Sequence, residues 1–323
     1  MRRVRASAPG KVILLGEHFV VKGSRALVAS IDLRATVEVE PRSSWPSLIV
    51  SEGLGASAAL DEGLRVRGDP RLEPIAAVLE WLAGQGYSLA PFKARIGGSL
   101  PPGAGLGSSA AVGAAFALAY TALHGDPLGP EGLMEASLAG ERVVHGNPSG
   151  VDPAIAAYGG FLLYRRGEAP RRLDLSLPEG YVVVVADSGI PRRTGDVVSF
   201  VLERAEATRP ASDLVYRAAD ELVGAAVEAL RAGDAARLGA LMDLAHGLLA
   251  GLGASSEALE RLVHRARGAG ALGAKLTGAG WGGSIIALAP EGLALRVCSS
   301  LEEAGARWAR PVKLGVEGAR LEA

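Results

Sequence analysis

The chain has 323 residues, 49% of them hydrophobic, and a formal charge of −1 from 34 basic and 35 acidic side chains. That is enough apolar mass for two compact domains, and the balance of charge excludes a basic face for nucleic acid or an anionic membrane. The lone cysteine, Cys298, excludes an internal disulfide and fits a reducing compartment, and the only lysines are Lys11, Lys22, Lys93, Lys275 and Lys313, so a lysine inside a motif carries weight.

In chain order, residues 4–16 read as a short strand, a Pro9-Gly10 turn and a second strand through Val12–Leu15. The arginines Arg2, Arg3 and Arg5 precede an apolar run bracketed by Lys11 and Glu17, too short for a signal sequence. Alternation at Leu33, Ala35, Val37 and Val39 predicts a strand, and the Ser-, Pro- and Gly-rich residues 42–70 predict loops with an edge hairpin. A short amphipathic helix is expected over Pro74–Gly84 and a strand over Lys93–Ile96. The helix formers Ala110–Leu123 fall short of the roughly 20 apolar residues a membrane span needs, so a soluble cytoplasmic protein is expected. A second helix is expected over Pro130–His145, stopped by Gly146 and Asn147-Pro148.

Strands are expected at Phe161–Tyr164 and Arg172–Leu175, and the continuous apolar run Tyr181–Ala186 predicts a buried central strand. Helices dominate from about residue 196. Leu214, Val215, Ala218, Leu222, Ala226, Val227 and Leu230 fall on one helical face, with Arg217, Asp220, Glu221 and Glu228 opposite. Leu238, Leu241, Met242, Ala245 and Leu249 make a second stripe, and Ser255 or Ser256 can cap a third helix running to Arg267. The end reads as strand Ala274–Thr277, strand Ser284–Ala289, a helix around 291–305 and a last strand near Val312. A domain boundary is expected near residues 175–195.

Four stretches carry chemistry. Pro101-Pro102-Gly103-Ala104-Gly105-Leu106-Gly107-Ser108-Ser109-Ala110-Ala111 reads as a glycine loop entering a helix, a natural seat for phosphate. It lacks the Gly-Lys-Ser/Thr ending of a P-loop, and a structural turn before a core helix is the competing reading. Lys275-Leu276-Thr277-Gly278-Ala279-Gly280-Trp281-Gly282-Gly283 satisfies G-x-G-x-x-G, but the apolar strand that follows excludes a dinucleotide site. Glu141 near a helix end and Asp152 after a Gly/Pro/Asn turn are candidate acids. Each, taken singly, also fits a solvated face or a turn residue. Lys11, between Pro9-Gly10 and an apolar strand, and the following Gly16-Glu17-His18 complete the set.

The order of these motifs along nearly the whole chain resembles the GHMP kinase superfamily, and Gly10-Lys11-Val12-Ile13-Leu14-Leu15-Gly16-Glu17-His18 together with Glu141–Asp152 resembles its mevalonate kinases. Asp187-Ser188-Gly189-Ile190-Pro191-Arg192-Arg193-Thr194 is similar to that family's loop near the substrate, while Ser284 stands where many of its members have cysteine. The resemblance implies an α+β, two-domain GHMP kinase fold: a ribosomal protein S5 domain 2-like domain over 1–180, a ferredoxin-like domain over 181–323, and the active site in the cleft between them. It further implies ATP and Mg2+, with the loop from Pro101 to Ala111 around the triphosphate and Ser109 and Glu141 on the metal. Gly278, Ala279 and Gly280 would close over the phosphates. Asp152 would be the base, Lys11 its neighbour, and Glu17, His18 and Thr194 would line the pocket for a small alcohol, mevalonate. A phosphorylated acceptor, kept open by Arg192 and Arg193 beside Thr194, homoserine, and a non-catalytic sensor are the alternatives. No nucleic acid or membrane partner is implied, and a homodimer is compatible with the pattern.

Overall fold

The computed structural model describes residues 3–146 and 148–323; Arg2 and Asn147, the latter read from the sequence as part of a helix stop, lie outside the described residues. The first half of the chain runs β1 (Val4–Leu15), β2 (Ala26–Pro41), β3 (Ser47–Ser51), β4 (Ala56–Leu60), β5 (Val66–Gly68), α1 (Glu73–Gly84), β6 (Phe92–Gly98), α2 (Ser108–Leu123), α3 (Pro130–His145), α4 (Val151–Tyr158), β7 (Phe161–Tyr164) and β8 (Arg171–Leu173). The second half runs β9 (Tyr181–Asp187), α5 (Thr194–Ala207), α6 (Ala211–Ala232), α7 (Ala235–Gly251), α8 (Glu257–Gly268), β10 (Gly273–Thr277), β11 (Ser284–Pro290), α9 (Ala294–Glu303), β12 (Trp308–Val312) and β13 (Arg320–Glu322).

Two sheets result. The larger has the order β13-β1-β2-β6-β3-β4-β5, with β7 and β8 joined through β2. The 16-residue β2 serves both branches, pairing with β7 over 26–29 and with β6 over 35–41. The smaller sheet, β10-β11-β9-β12, is antiparallel throughout, with the helices α5–α8 and α9 as its crossovers, a split β-α-β pattern. As its uninterrupted apolar sequence predicts, β9 is an inner strand, paired on both sides.

Where the sequence suggests a turn at Pro9-Gly10, β1 instead runs straight through, and its register against β2 shifts between those two residues. A bulge accommodates a proline that has no N–H for the ladder. The shift frees the N–H of Lys11 to reach Leu106 O at 2.9 Å, tying β1 to the glycine loop.

Helix α2 is buried on nearly every side, from Ala110 to Ala122. Its alanines present little bulk, so it lies within the core rather than on it, which is why its sequence lacks an amphipathic stripe. Helix α4 was not legible as a helix: it is eight residues long and starts in a Gly/Pro stretch that resembles a turn. Pro153 falls within its first turn, where a missing N–H costs no helical bond.

The expected face of α6 holds over its second half, where Ala226, Val227 and Leu230 are buried, with Val215 and Leu222 partly buried against the core. Leu214, 60% exposed, and Ala218 are not part of it, and Ser212, Ala219, Val223 and Ala229 are buried as well. Asp220, expected to face solvent, receives a fork from Arg25, with Nε at 3.0 Å and Nη2 at 2.7 Å from Oδ2. The chain's tail also departs from expectation. Beyond the strand at Val312, β13 returns to pair with β1, so the end of the chain sits with the larger sheet. No helix among the described residues is long and apolar enough to cross a membrane.

Candidate active site

The glycine loop leaves β6 and enters α2 at Ser108. Gly107 adopts φ 76°, and a Cβ there would press on Lys11 Cγ at 3.1 Å and on the Asp152 carboxylate at 3.5 Å. Only glycine both takes this backbone and lets the loop pass so near those side chains. The first N–H groups of α2 have no partners within the helix, so the loop and helix start together offer donors and partial positive charge to an anion. Pro101, Pro102, Gly103, Gly105, Gly107, Ser108 and Ser109 line a cleft of about 1160 Å³. Ala104, Leu106, Ala110 and Ala111 do not; they are buried behind it. Two of these four still fix the loop through their carbonyls, Leu106 O on the Lys11 N–H and Ala104 O on the Ser284 hydroxyl at 2.8 Å.

Lys11 is 4% exposed, with Nζ 3.3 Å from Asp152 Oδ1. Asp152 lies in the first turn of α4, where the helix dipole favours an anion. Across the cleft, Glu141 projects from the last part of α3. Burial first, and then the charge of Asp152, push its carboxyl up to about 7 against the pull of the Ser109 hydroxyl and Lys11. Its Oε1 is buried with no hydrogen-bond partner, while Oε2 lies 3.6 Å from His145 Nε2. A buried, unpartnered carboxylate oxygen beside a serine hydroxyl is hard-oxygen chemistry that suits a divalent cation.

The third group spans both sheets. Glu17, just after β1, is fully buried and paired with Lys275 of β10, whose Nζ also donates to Leu276 O at 2.7 Å. Burial pushes the Glu17 carboxyl up and the Lys275 ammonium down, and their mutual attraction opposes both shifts. His18 is held at φ 60°, where its Nε2–H donates to Ala279 O at 2.6 Å. Burial lowers its pKa, so the neutral ring keeps Nδ1 as an acceptor. Glu17, His18, Thr194, Gly278 and Ala279 all line the cleft; Gly280 does not, and packs instead against Ala254 O.

Sequence reasoning missed two links. Lys275 shows in the sequence only as part of a motif, and the scarcity of lysines is the one signal that singles it out. Ser284 shows in the sequence as the start of a strand and a departure from the cysteine of many relatives, yet its hydroxyl anchors the glycine loop. Arg192, considered from the sequence as a contact for a phosphorylated acceptor, does line the cleft, but on the side of the glycine loops. Its guanidinium packs against Gly105 and Gly283, and Nη1 donates to Gly103 O at 3.4 Å.

A phosphate seat, a carboxylate suited to a metal and a second carboxylate held by a buried lysine, all facing one cleft, are the equipment of a phosphoryl-transfer enzyme. Known proteins agree. The models for the GHMP kinases N terminal domain and GHMP kinases C terminal match residues 74–160 and 226–307. The mevalonate kinase of Aeropyrum pernix is 50% identical over 99% of both chains. That of Thermococcus sibiricus is 36% identical over 99% of this chain and 98% of its own. The crystal structure of L. major mevalonate kinase in complex with R-mevalonate aligns with a TM-score of 0.82 at 31% identity, over 97% of this chain and 96% of that one. The chain belongs to the GHMP kinases and, among them, to the mevalonate kinase family.

Proposed function

We propose that the chain transfers the γ-phosphoryl group of ATP to the 5-hydroxyl of mevalonate, yielding 5-phosphomevalonate for isoprenoid biosynthesis in the cytoplasm. The observation that carries the proposal is the 3.3 Å approach of buried Lys11 to Asp152, beside the helix start that receives phosphate. Asp152 accepts the proton of the attacking hydroxyl, and Lys11 fixes that carboxylate while its charge faces the developing alkoxide. The loop from Pro101 to Ser109 and the N–H groups of α2 hold the triphosphate in line.

Glu141 and Ser109 would hold Mg2+. Once bound, the ion supplies charge neutralisation on the β- and γ-phosphates. The orphaned Glu141 Oε1 fits that role. Among the described residues no group of three or more His, Cys, Asp or Glu gathers, so these two protein ligands would be supplemented by substrate oxygens and water. Glu17 and His18 shape the acceptor end, with His18 Nδ1 as a hydrogen-bond acceptor and Thr194 on the facing wall.

We keep residues 1–180 and 181–323 as the two working units. The first carries the cradle and the base, and the second carries the loop from Gly278 to Gly283. The return of β13 to β1 joins them. Arg192 lines the cleft, but the engagement of its guanidinium with Gly103 O weighs against a phosphorylated acceptor. One ADP-release assay with Mg2+-ATP across mevalonate, phosphomevalonate, homoserine and galactose decides the substrate. Turnover of mevalonate alone is expected, with phosphorus NMR placing the new ester on the primary hydroxyl. Preference for any other acceptor in the panel would overturn the assignment.

A further inference from the structure

Trp281 stands out in a loop otherwise made of glycines and one alanine, from Gly278 to Gly283. Its φ is 57°, in the left-handed region that bulky side chains avoid. A glycine would turn the chain there without strain. A residue in such a conformation persists where its surroundings over-determine it, and three contacts do so here. Its N–H donates to Ala254 O at 2.9 Å, its indole Nε1–H donates to Gly253 O at 2.8 Å, and its ring meets Phe200 of α5 at 5.1 Å between centroids with the planes inclined at 60°. The approach to residue 254 is close: a Cβ on neighbouring Gly280 would lie 1.9 Å from Ala254 O.

The same loop grips the chain a second time, ahead of α5. Gly283 N–H donates to Ile190 O at 3.2 Å, and Ser188 N–H donates to Gly283 O at 2.7 Å. The stretch from Ile190 to Phe200 is thus pinned at both ends by one loop. Between the pins lie Thr194, Gly195 and Val198, which line the cleft. Most of this stretch is exposed, with Val197 its one fully buried side chain. The glycine loop that forms the nucleotide cradle is held by Ser284 on Ala104 O and by Lys11 N–H on Leu106 O, and its tie to this stretch, Arg192 on Gly103 O, lies beside the Gly283 pin rather than the Trp281 pin.

We propose that Trp281, through Phe200, is a positioning residue that sets the acceptor-side wall of the cleft and thereby the affinity for the alcohol, without acting on the nucleotide side. The proposal rests on the assignment of mevalonate as acceptor. Loss of one pin lets the wall sample positions that do not bind, and apparent affinity falls by the fraction of time spent there.

The test is Trp281→Gly, which suits the observed φ, beside Phe200→Ala, a change at a partly exposed site that leaves the fold intact. Each is expected to raise KM for mevalonate about fivefold or more while kcat and KM for ATP stay within about twofold. The double variant should be no worse than either single one, because both remove the same contact, and Trp281→Phe should recover much of the loss. Hydrogen exchange in ligand-free protein supplies a readout independent of the acceptor: amides of 194–201 should exchange faster in both variants, with α2 unchanged. Parallel shifts of both KM values, additive effects, or unaltered exchange at 194–201 would overturn the proposal. Failure of the wild-type protein to use mevalonate would instead overturn the substrate assignment, leaving the exchange result to decide the role of Trp281.

Discussion

Glu141 is the residue at which stability and function pull in opposite directions. Its carboxyl is 3% exposed and pushed up to about 7, so near neutral pH a metal held as proposed would compete with a proton for it. The sign follows from the raised value. The stabilising proton is fully present below the ordinary carboxyl value of 4.5 and is lost as pH rises through about 7. Ligand-free enzyme should therefore gain stability at pH 8 in Glu141→Gln, on the order of 3 kcal/mol by pKa linkage, read as a higher thermal midpoint. In the unmodified protein, the Mg2+ concentration for half-maximal rate should rise about fivefold between pH 7 and pH 6, as the ionised fraction of a group with that value falls. A flat Mg2+ requirement over this range would remove Glu141 from the metal site.

At the scale of elements, the two sheets are joined by side chains that substitute for a backbone ladder. Thr277 of β10 is fully buried, and its hydroxyl accepts the Ile13 N–H at 3.0 Å and donates to Ile13 O at 3.3 Å, next to a register shift in β1. Thr277→Val keeps the shape and strands a buried N–H, so it should cost about 1–3 kcal/mol, measured as a lower denaturant midpoint with an unchanged slope. No loss would mean that Ile13 finds another partner.

These same junctions mark the limit of what was legible in the sequence. The glycine loop, the helices over 74–84 and 130–145 and the buried strand at 181–186 carried local signals: periodicity, caps and an uninterrupted apolar run. Lys11, Ser109, Glu141 and Asp152 could be picked out because their motifs resemble a family. The bulge at Pro9 and the return of β13 left no such trace, because each is decided by a partner distant in the chain, and α4 left none because it is short and starts in a Gly/Pro stretch. The pairing of Asp220 on α6 is equally hidden, since Arg25 lies far from it in sequence. Lys275 and Glu17 each look like surface charges until the fold buries them against one another. Breaking such a pair by removing one partner leaves an uncompensated buried charge, which is why it locks the sheets together.

At the scale of the whole molecule, the cleft is made by the approach of the two sheets, and neither holds a complete site. The larger sheet and its helices bring Lys11, Ser109, Glu141 and Asp152. The smaller brings Lys275 behind Glu17, Ala279 onto His18 and Ser284 onto the glycine loop. With both sides pinned by buried bonds, the glycine loop is a preorganised surface, and the largely exposed segment from Ile190 to Phe200 is the part of the cleft wall with room to move. Such an arrangement places catalysis in positioning, charge neutralisation and one proton transfer. The most direct measurement is the turnover of Asp152→Asn with saturating mevalonate and Mg2+-ATP, alongside its ATP affinity. Removal of the base should lower kcat by about a hundredfold or more with the fold and ATP binding retained. Turnover near that of the unmodified enzyme would contradict the assignment of Asp152, and with it the account of how this cleft transfers phosphate.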